Sequence, residues 1–250
     1  MRCHDRADRR VRAHSAGIPA SGGLAESAAT GSVAPDAGAR GRRCALLKST
    51  LLCLLVGIAA CNDSAPSLAP LDAAAIILAF GDSLTYGTGA GREASYPAVL
   101  GELTGLQVIN AGVPGEVTAQ GLARLPGLLE RHRPALVVLC HGGNDMLRGV
   151  DAEAIYNNLQ AIVDQVHAHG ADVLLVGVPQ PRLLVLQPAD IYDRLANDRQ
   201  LLYLRDALPQ LESDAGMKSD PIHLNGEGYR RLGVEIHELL RAAGAVPDIN

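Results

Sequence analysis

The sequence contains few aromatic residues and few cysteines. It has no tryptophan and one phenylalanine among its 250 residues. An apolar pocket would therefore be lined by aliphatic side chains, with Tyr86 as the aromatic candidate. Of the five cysteines, only Cys61 and Cys140 lie beyond residue 60. If Cys61 is modified, this part of the chain can form no internal disulfide, and packing alone must hold its core.

The same part of the chain also lacks positive charge. Cys61–Asn250 contains 13 Lys and Arg against 23 Asp and Glu, a formal charge of −10. The other nine basic residues all precede Cys61. This acidity argues against a nucleic-acid partner, and against binding to an anionic bilayer through a basic face.

The first 61 residues differ in composition from the rest. Residues 1–43 are rich in Arg, Ala, Gly and Ser and show no apolar periodicity, which predicts a disordered extension. Residues 44–61 follow the basic pair Arg42-Arg43 and consist of an apolar core and then small residues. A basic start, an apolar core and small residues are the pattern of a signal peptide. That core is shorter than the ~20 residues of a membrane span.

The segment Ile58-Ala59-Ala60-Cys61 resembles a bacterial lipobox. The resemblance implies cleavage before Cys61 and lipidation of that residue, with an ordinary signal peptide or an uncleaved anchor as alternatives. A lipid would hold the protein at a membrane without a crossing helix. We therefore expect a bacterial cell-envelope protein that faces the periplasm or is secreted. Residues 62–74, with scattered Pro and Ser, are predicted to be a linker.

Beyond residue 74, apolar strand patterns alternate with helical patterns. Such alternation predicts a mostly parallel five-stranded sheet between two helical layers, an α/β/α sandwich over residues 75–245. The strand candidates are 75–80, 107–111, 135–141, 172–178 and a weaker one near 200–204. The helix candidates are 95–104, 116–131, 151–168, 189–197 and 225–243.

A nucleophile and a base are suggested at opposite ends of this region. Ser83 follows the first apolar strand within Gly81-Asp82-Ser83, at the sheet edge where open α/β folds build their sites. Far downstream, Asp220 and His223 are three residues apart. This spacing allows a carboxylate to fix one imidazole nitrogen while the other accepts a proton from a serine.

Two further segments supply candidate hydrogen-bond donors for an oxyanion. Pro114-Gly115 follows the second strand and suits the central positions of a type II turn, with Gly at positive φ. Such a turn can direct the Gly115 N–H into a cleft. Asn144 follows the third strand within Gly142-Gly143-Asn144 and can offer its side-chain amide.

These four segments, in this order, resemble the blocks of the SGNH (GDSL-type) hydrolases over roughly residues 75–243. The resemblance is strongest to the branch of thioesterase I/lysophospholipase L1 and the bacterial arylesterases. It implies a flavodoxin-like fold and a triad of Ser83, Asp220 and His223. It also implies an oxyanion hole formed by Ser83, Gly115 and Asn144, and no metal or organic cofactor.

The sequence departs from the family pattern at two places. Leu224 stands where the family usually has Pro after the histidine, which affects the stiffness of that loop. Cys140-His141 stands where a pair such as Glu-Leu is common, which affects the pocket wall. Neither departure removes a reacting group.

The expected function is hydrolysis of small carboxylic esters, arylesterase-like, through an acyl-enzyme on Ser83. Thioester, lysophospholipid or acetylated carbohydrate substrates of the same family remain alternatives. Two different functions also remain open, namely a catalytically silent surface-binding lipoprotein and a flavodoxin-like nucleotide-binding protein. The second lacks a convincing phosphate loop, because no Lys-Ser/Thr follows the glycines of Gly87–Gly91.

Several candidate residues also have purely structural interpretations. Ser83 is a possible helix cap, and Asp82 is expected to support its turn by local hydrogen bonds. Asn144 is a possible turn residue. For His141 we favour a buried, hydrogen-bonded role, and for Cys140 a neutral, inert thiol on a buried strand.

Overall fold

A computed structural model describes residues 67–180 and 187–247 of the protein. The predicted disordered extension 1–43, the predicted signal segment 44–61 with its candidate Cys61, and residues 62–66 of the predicted linker lie outside the described residues. The described residues all belong to the compact unit Cys61–Asn250. Within the described ranges, no helix is both long and apolar enough to cross a bilayer.

The centre of the structure is a five-stranded sheet with strand order β2-β1-β3-β4-β5 and parallel pairing throughout. This is the doubly wound, flavodoxin-like order, and it confirms the predicted fold class. The strands are β1 (Ile76–Gly81), β2 (Gln107–Gly112), β3 (Leu136–Cys140), β4 (Asp172–Val176) and β5 (Leu202–Leu204).

Helices cover the two faces of this sheet. Because parallel crossovers are right-handed, the change of direction at β1 places α2 on one face and α3, α5 and α6 on the other. The C-terminal helix α8 packs on α2, and α5 packs on both α3 and α6. The α-helices are α1 (Ser83–Tyr86), α2 (Tyr96–Thr104), α3 (Thr118–His132), α4 (Gly143–Leu147), α5 (Ala152–Ala168), α6 (Asp190–Arg199), α7 (Ala207–Ser213) and α8 (Gly226–Ala242).

The core lies where the apolar stripes of the helices meet the strands. All five residues of β3 are buried, as expected for a central strand of a parallel sheet. The stripe predicted on α5 is confirmed: Ile155, Leu159, Ile162, Val163 and Val166 are all buried.

Three short helices were not predicted from the sequence: α1, α4 and α7. They have four, five and seven residues, too few for a 3.6-residue apolar period to be recognised. Two of them directly follow strands: α1 comes after β1 and α4 after β3. These two strands flank the point where the chain changes direction across the sheet, which is the usual place for a site in this fold.

The described chain enters the domain beside the amino ends of the strands, opposite the carboxyl ends that lead into α1 and α4. The N–H of Leu68 donates to the carbonyl of Ala243 (3.1 Å), and that of Leu71 donates to the carbonyl of Ala245 (2.8 Å). Both carbonyls follow the C-terminal end of α8. The segment that leads into β1 is therefore held at the amino edge of the sheet.

Candidate active site

Ser83 is the first residue of α1, immediately after β1. The cap of this helix is Asp82, whose Oδ1 accepts a hydrogen bond from the Leu84 N–H at 3.1 Å. The capping interpretation of Ser83 is therefore wrong, and the predicted local role of Asp82 matches the structure. Since Asp82 satisfies the helix terminus, the Ser83 hydroxyl is left for another partner.

That partner is His223. Its Nε2 lies 3.0 Å from Ser83 Oγ, and its Nδ1 lies 2.7 Å from Asp220 Oδ2. The other oxygen, Asp220 Oδ1, accepts the backbone N–H groups of His223 and Ile222, each at 2.8 Å. The three predicted triad side chains thus form one continuous chain of hydrogen bonds.

The hydrogen bonds at Asp220 keep its carboxyl ionised. The His223 backbone N–H, the His223 imidazole and the Ile222 N–H lower the pKa of Asp220 to about 2. An ionised Asp220 favours the His223 tautomer with its proton on Nδ1. Nε2 is then free to accept a proton from the Ser83 hydroxyl.

Hydrogen bonds on both sides hold the loop that carries Asp220 and His223. Ser219 Oγ lies 3.2 Å from the carbonyl oxygens of His223 and Leu224, and Asn225 Nδ2 donates to Gly216 O at 2.8 Å. Leu224 is fully buried, so apolar packing fixes the position that follows the histidine. The Tyr229 hydroxyl of α8 donates to Thr88 O (2.8 Å), in the loop beyond α1.

Asn144 lies in α4 and faces the turn after β1. Its Nδ2 donates to Asp82 Oδ2 at 3.2 Å. Burial raises the pKa of Asp82, although His141, Leu84 and Asn144 partly oppose this. An amide nitrogen carries two N–H groups, so the hydrogen bond to Asp82 leaves the second available for a substrate.

Gly115 lies in the turn that follows β2. The Glu116 N–H donates to Val113 O (3.2 Å) and Gly115 has φ +78°, so Pro114 and Gly115 occupy the centre of a type II turn as predicted. Arg148 Nη2 holds the Gly115 carbonyl at 2.7 Å. Gly115 is not among the residues that line the cavity beside Ser83, and its oxyanion role stays a prediction.

Beneath these loops lies a buried ionic group that the sequence did not predict. Arg124 donates from Nε and Nη2 to the two carboxylate oxygens of Glu116, each at 2.6 Å. Arg124 Nη2 also reaches Ala111 O at 2.8 Å and Gly81 O at 3.3 Å. One guanidinium thus joins the ends of β1 and β2 to the segment after Gly115.

His141 brings β3 into the same group. Its side chain is fully buried, with Nε2 3.1 Å from Glu116 Oε2 and Nδ1 accepting the Gly142 N–H at 2.9 Å. An accepting Nδ1 places the proton of the neutral ring on Nε2, which then donates to Glu116. His141 therefore has the buried, hydrogen-bonded environment expected for it, and burial raises the pKa of the Cys140 thiol well above its usual value.

Asp145, the neighbour of Asn144, fastens α4 to α3. Its carboxylate accepts the Thr118 N–H (2.9 Å) and the Thr118 hydroxyl (2.6 Å) at the first residue of α3. Asn158 of α5 in turn donates to Thr118 Oγ1 at 3.0 Å. The position of Asn144 is thus braced by the helical layer behind it.

The triad opens into a cavity of about 320 Å³. Among the described residues, Ser83, His223 and Asn144 line it together with the carboxyl groups of Asp82 and Glu212. The remaining lining is mostly aliphatic, as the shortage of aromatic residues predicted, and Tyr86 is not part of it. The apolar side chains are Leu84, Leu147, Val178, Pro179, Pro221 and Ile222.

A doubly wound sheet with a serine–histidine–aspartate chain at its switch point defines the class of α/β serine hydrolases. Within that class, the sequence profile of the GDSL-like Lipase/Acylhydrolase family matches residues 79–231. The match covers more than half of the chain, and the protein belongs to this family.

Similar proteins are named as esterases and thioesterases. "Esterase TesA" of Pseudomonas aeruginosa is 40% identical over 114 residues, 44% of this chain and 57% of that protein. "Thioesterase 1/protease 1/lysophospholipase L1" of Escherichia coli is 39% identical over 111 residues, 44% of this chain and 53% of that protein. The chain thus spans about half the length of the curated relatives it matches.

Solved structures agree with the fold. The crystal structure of TesA superposes with a TM-score of 0.61 at 29% identity and covers 67% of this chain and 99% of that one. The esterase AlinE4, described as an SGNH hydrolase, gives a TM-score of 0.51 at 31% identity, with 68% of this chain and 93% of that one covered.

The buried ionic group predicts how stability depends on pH. Glu116→Gln should lower the free energy of unfolding by about 2 kcal/mol near pH 7, because Arg124 loses its charged partner while a quarter of its side chain stays exposed. His141 and Arg124 hold the pKa of Glu116 below its usual value despite burial. The wild-type advantage is therefore complete above about pH 5 and shrinks as the pH falls through the lowered pKa.

Urea denaturation of both proteins between pH 3 and pH 7 measures this difference. Glu130→Gln, at an exposed position on α3, is the matched control and should leave the free energy of unfolding within about 0.5 kcal/mol of wild type. A Glu116→Gln deficit that stays constant down to pH 3 would contradict an ionised, paired Glu116.

Proposed function

We propose that this protein is a serine esterase that hydrolyses small carboxylic esters through an acyl-enzyme on Ser83. One observation carries the proposal: His223 links the Ser83 hydroxyl to the Asp220 carboxylate, with contacts of 3.0 and 2.7 Å. A chain of this kind turns a weak hydroxyl into a nucleophile, because the base is in contact with the proton it must remove.

In the first half-reaction, Ser83 Oγ attacks the ester carbonyl as its proton passes to His223 Nε2. The ionised Asp220 stabilises the imidazolium that forms. Collapse of the tetrahedral intermediate breaks the bond to the leaving group. His223 then protonates the departing alcohol, phenol or thiol, and the acyl group remains on Ser83.

Three donors are proposed for the oxyanion: the Ser83 N–H, the Gly115 N–H and the Asn144 side-chain amide. As the first residue of α1, Ser83 has no intrahelical acceptor for its N–H. Asn144 is held by Asp82 and braced through Asp145. Pre-oriented donors need no rearrangement as charge develops on the oxygen, which is the main benefit of such a site.

In the second half-reaction, water replaces the serine as the attacking group. His223 removes a proton from the water, the new tetrahedral intermediate breaks its bond to Ser83 Oγ, and the imidazolium returns the proton to that oxygen. The products are a carboxylic acid and the free enzyme. Every step uses side chains already in place, so the proposed reaction calls for no metal or organic cofactor.

The cavity favours short or compact esters. A volume of about 320 Å³ lies at the lower end of the range for small-molecule sites. Thioesters are a second candidate substrate class, because one relative at 39% identity carries the name thioesterase. The same chemistry applies to them, since a thiolate leaves from the same tetrahedral intermediate as an alkoxide.

Ser83→Ala should reduce hydrolysis of p-nitrophenyl acetate by roughly 10⁴-fold or more, because within the described residues Ser83 Oγ is the hydroxyl that contacts His223 Nε2. The assay uses folded protein verified by circular dichroism. Ser67→Ala, at an exposed position before β1, is the control and should retain full activity.

Labelling by a fluorophosphonate probe gives a second measurement. Wild type should be labelled on Ser83, whereas the alanine variant should not react. Full esterase activity in Ser83→Ala would end the assignment, and an unreactive wild type would favour a catalytically silent binding protein.

Asp220→Asn should lower kcat by roughly 10³-fold while the fold is kept, because the amide no longer favours the tautomer that leaves Nε2 free. The pKa of Asp220 near 2 means that this carboxylate stays ionised in mild acid. Loss of wild-type activity between about pH 4 and pH 6 should therefore not follow the titration of Asp220. Asp190→Asn, exposed on α6, is the control, and equal kcat values for the two variants would exclude Asp220 from the triad.

The proposal includes attachment to the bacterial envelope through a lipid on Cys61, with the catalytic domain in the periplasm. The basic-apolar-small pattern of residues 42–61 and its lipobox-like end support it. In a Gram-negative host, the full chain should incorporate radiolabelled palmitate and partition into detergent.

Cys61→Ser should abolish both the labelling and the partitioning. Cys53→Ser, within the apolar core of the same segment, is the control and should leave both unchanged. Palmitate incorporation that persists in Cys61→Ser would exclude Cys61 as the acceptor.

A further inference from the structure

Among the described residues that line the cavity beside the triad, Glu212 is the ionisable side chain that the proposed mechanism does not use. Glu212 lies near the end of α7 and is 7% exposed, and it lines the cavity with Leu84, Val178 and Ile222. Its neighbours on the same helix, Leu208 and Leu211, are buried in the core. The helix therefore presents Glu212 as a polar group in a largely aliphatic wall.

The Glu212 carboxyl has no hydrogen-bond or ion-pair partner among residues 67–180 and 187–247. The contrast with Glu116 is informative. Glu116 is buried to a similar degree, yet Arg124 and His141 satisfy both its oxygens. A buried carboxyl without a partner is unfavourable, and such a group in a ligand cavity calls for a partner that arrives with the ligand.

The surroundings of Glu212 favour the neutral acid. Burial raises its pKa to about 8, and Asp82 and Asp220 act in the same direction while Lys218 opposes them. At neutral pH the group is then largely protonated and offers one O–H donor and one carbonyl acceptor. A hydroxyl group matches this pair, since it can accept from the acid and donate to it.

We propose that Glu212 is a specificity-determining residue that selects esters carrying a hydroxyl group in the part of the substrate that fills this cavity. The inference rests on the proposed esterase function. A plain alkyl group in the same place would displace water from the Glu212 carboxyl and offer it no hydrogen bond. The substrate class is thus a hydroxyl-bearing ester, such as a hydroxyacyl ester or an ester of a polyol.

The test compares isosteric substrates that differ by hydroxyl against methyl. The acyl pairs are p-nitrophenyl 2-hydroxypropanoate with 2-methylpropanoate, and 3-hydroxybutanoate with 3-methylbutanoate. The alcohol pair is 2-hydroxyethyl butanoate with propyl butanoate. Values of kcat/KM are measured at pH 6.5, corrected for spontaneous hydrolysis, so that the two families of pairs show whether the hydroxyl lies on the acyl or the alcohol side.

In wild type, at least one pair should favour the hydroxyl member by about tenfold in kcat/KM, the order expected when a buried polar group is left unpaired by the analogue. Glu212→Leu should remove or reverse that preference, mainly by accelerating the methyl member. Glu212→Gln, which keeps a donor and an acceptor, should retain it within about threefold. Gln210→Leu, exposed on the same helix, is the matched control and should behave as wild type.

The inference would be overturned, and the proposed function left intact, if wild type hydrolyses these esters through Ser83 but shows no hydroxyl preference in any pair. A preference that survives in Glu212→Leu would also overturn it. If Glu212→Leu does not fold, as judged by thermal denaturation, Glu212→Met replaces it as the apolar variant. Ester hydrolysis that does not depend on Ser83 would instead overturn the function itself.

Discussion

The hydrogen bond between Ser83 Oγ and His223 Nε2 is the constraint on which the rest of the site depends. It joins residues 140 positions apart, so the end of the first strand and the start of the last helix must meet at one edge of the sheet. Packing of α8 on α2, and the Tyr229 hydroxyl on the Thr88 carbonyl, hold the two in place. Because a proton can be shared only at about 3 Å, small shifts in this packing would separate Ser83 Oγ from His223 Nε2.

Much of this arrangement could be predicted from the sequence, because the signals that mark it lie in short continuous segments. Buried parallel strands are continuous apolar runs, so their ends are easily located, and Ser83, Gly115 and Asn144 each follow such an end. The short helices α1, α4 and α7 were missed because they are shorter than two turns. Asp82, and not Ser83, proved to be the cap of α1, which no local rule distinguishes when two good capping residues are adjacent.

The ionic group of Glu116, Arg124 and His141 could not be predicted for a different reason. Its members come from a loop, a helix and a strand end that approach one another only after the sheet has formed. The same group explains why His141 departs from the family pattern: its ring is hydrogen-bonded to Glu116 and so joins the end of β3 to the segment after Gly115. Two glutamates are buried in the described part of the chain. Glu116 has partners at both carboxylate oxygens and supports the loops, whereas Glu212 has no partner among the described residues and is the one proposed to meet a ligand.

The place where the described chain enters the domain has a consequence for access. Leu68 and Leu71 are fixed beside the C-terminal end of α8, whereas the N-terminal end of that helix leads from His223. Seventeen helical residues separate these points, about 25 Å along the axis. The described chain therefore begins on the side of the domain remote from the cavity beside Ser83. An attachment made through this end of the domain would leave the mouth of the cavity unobstructed, so that dissolved esters could enter it.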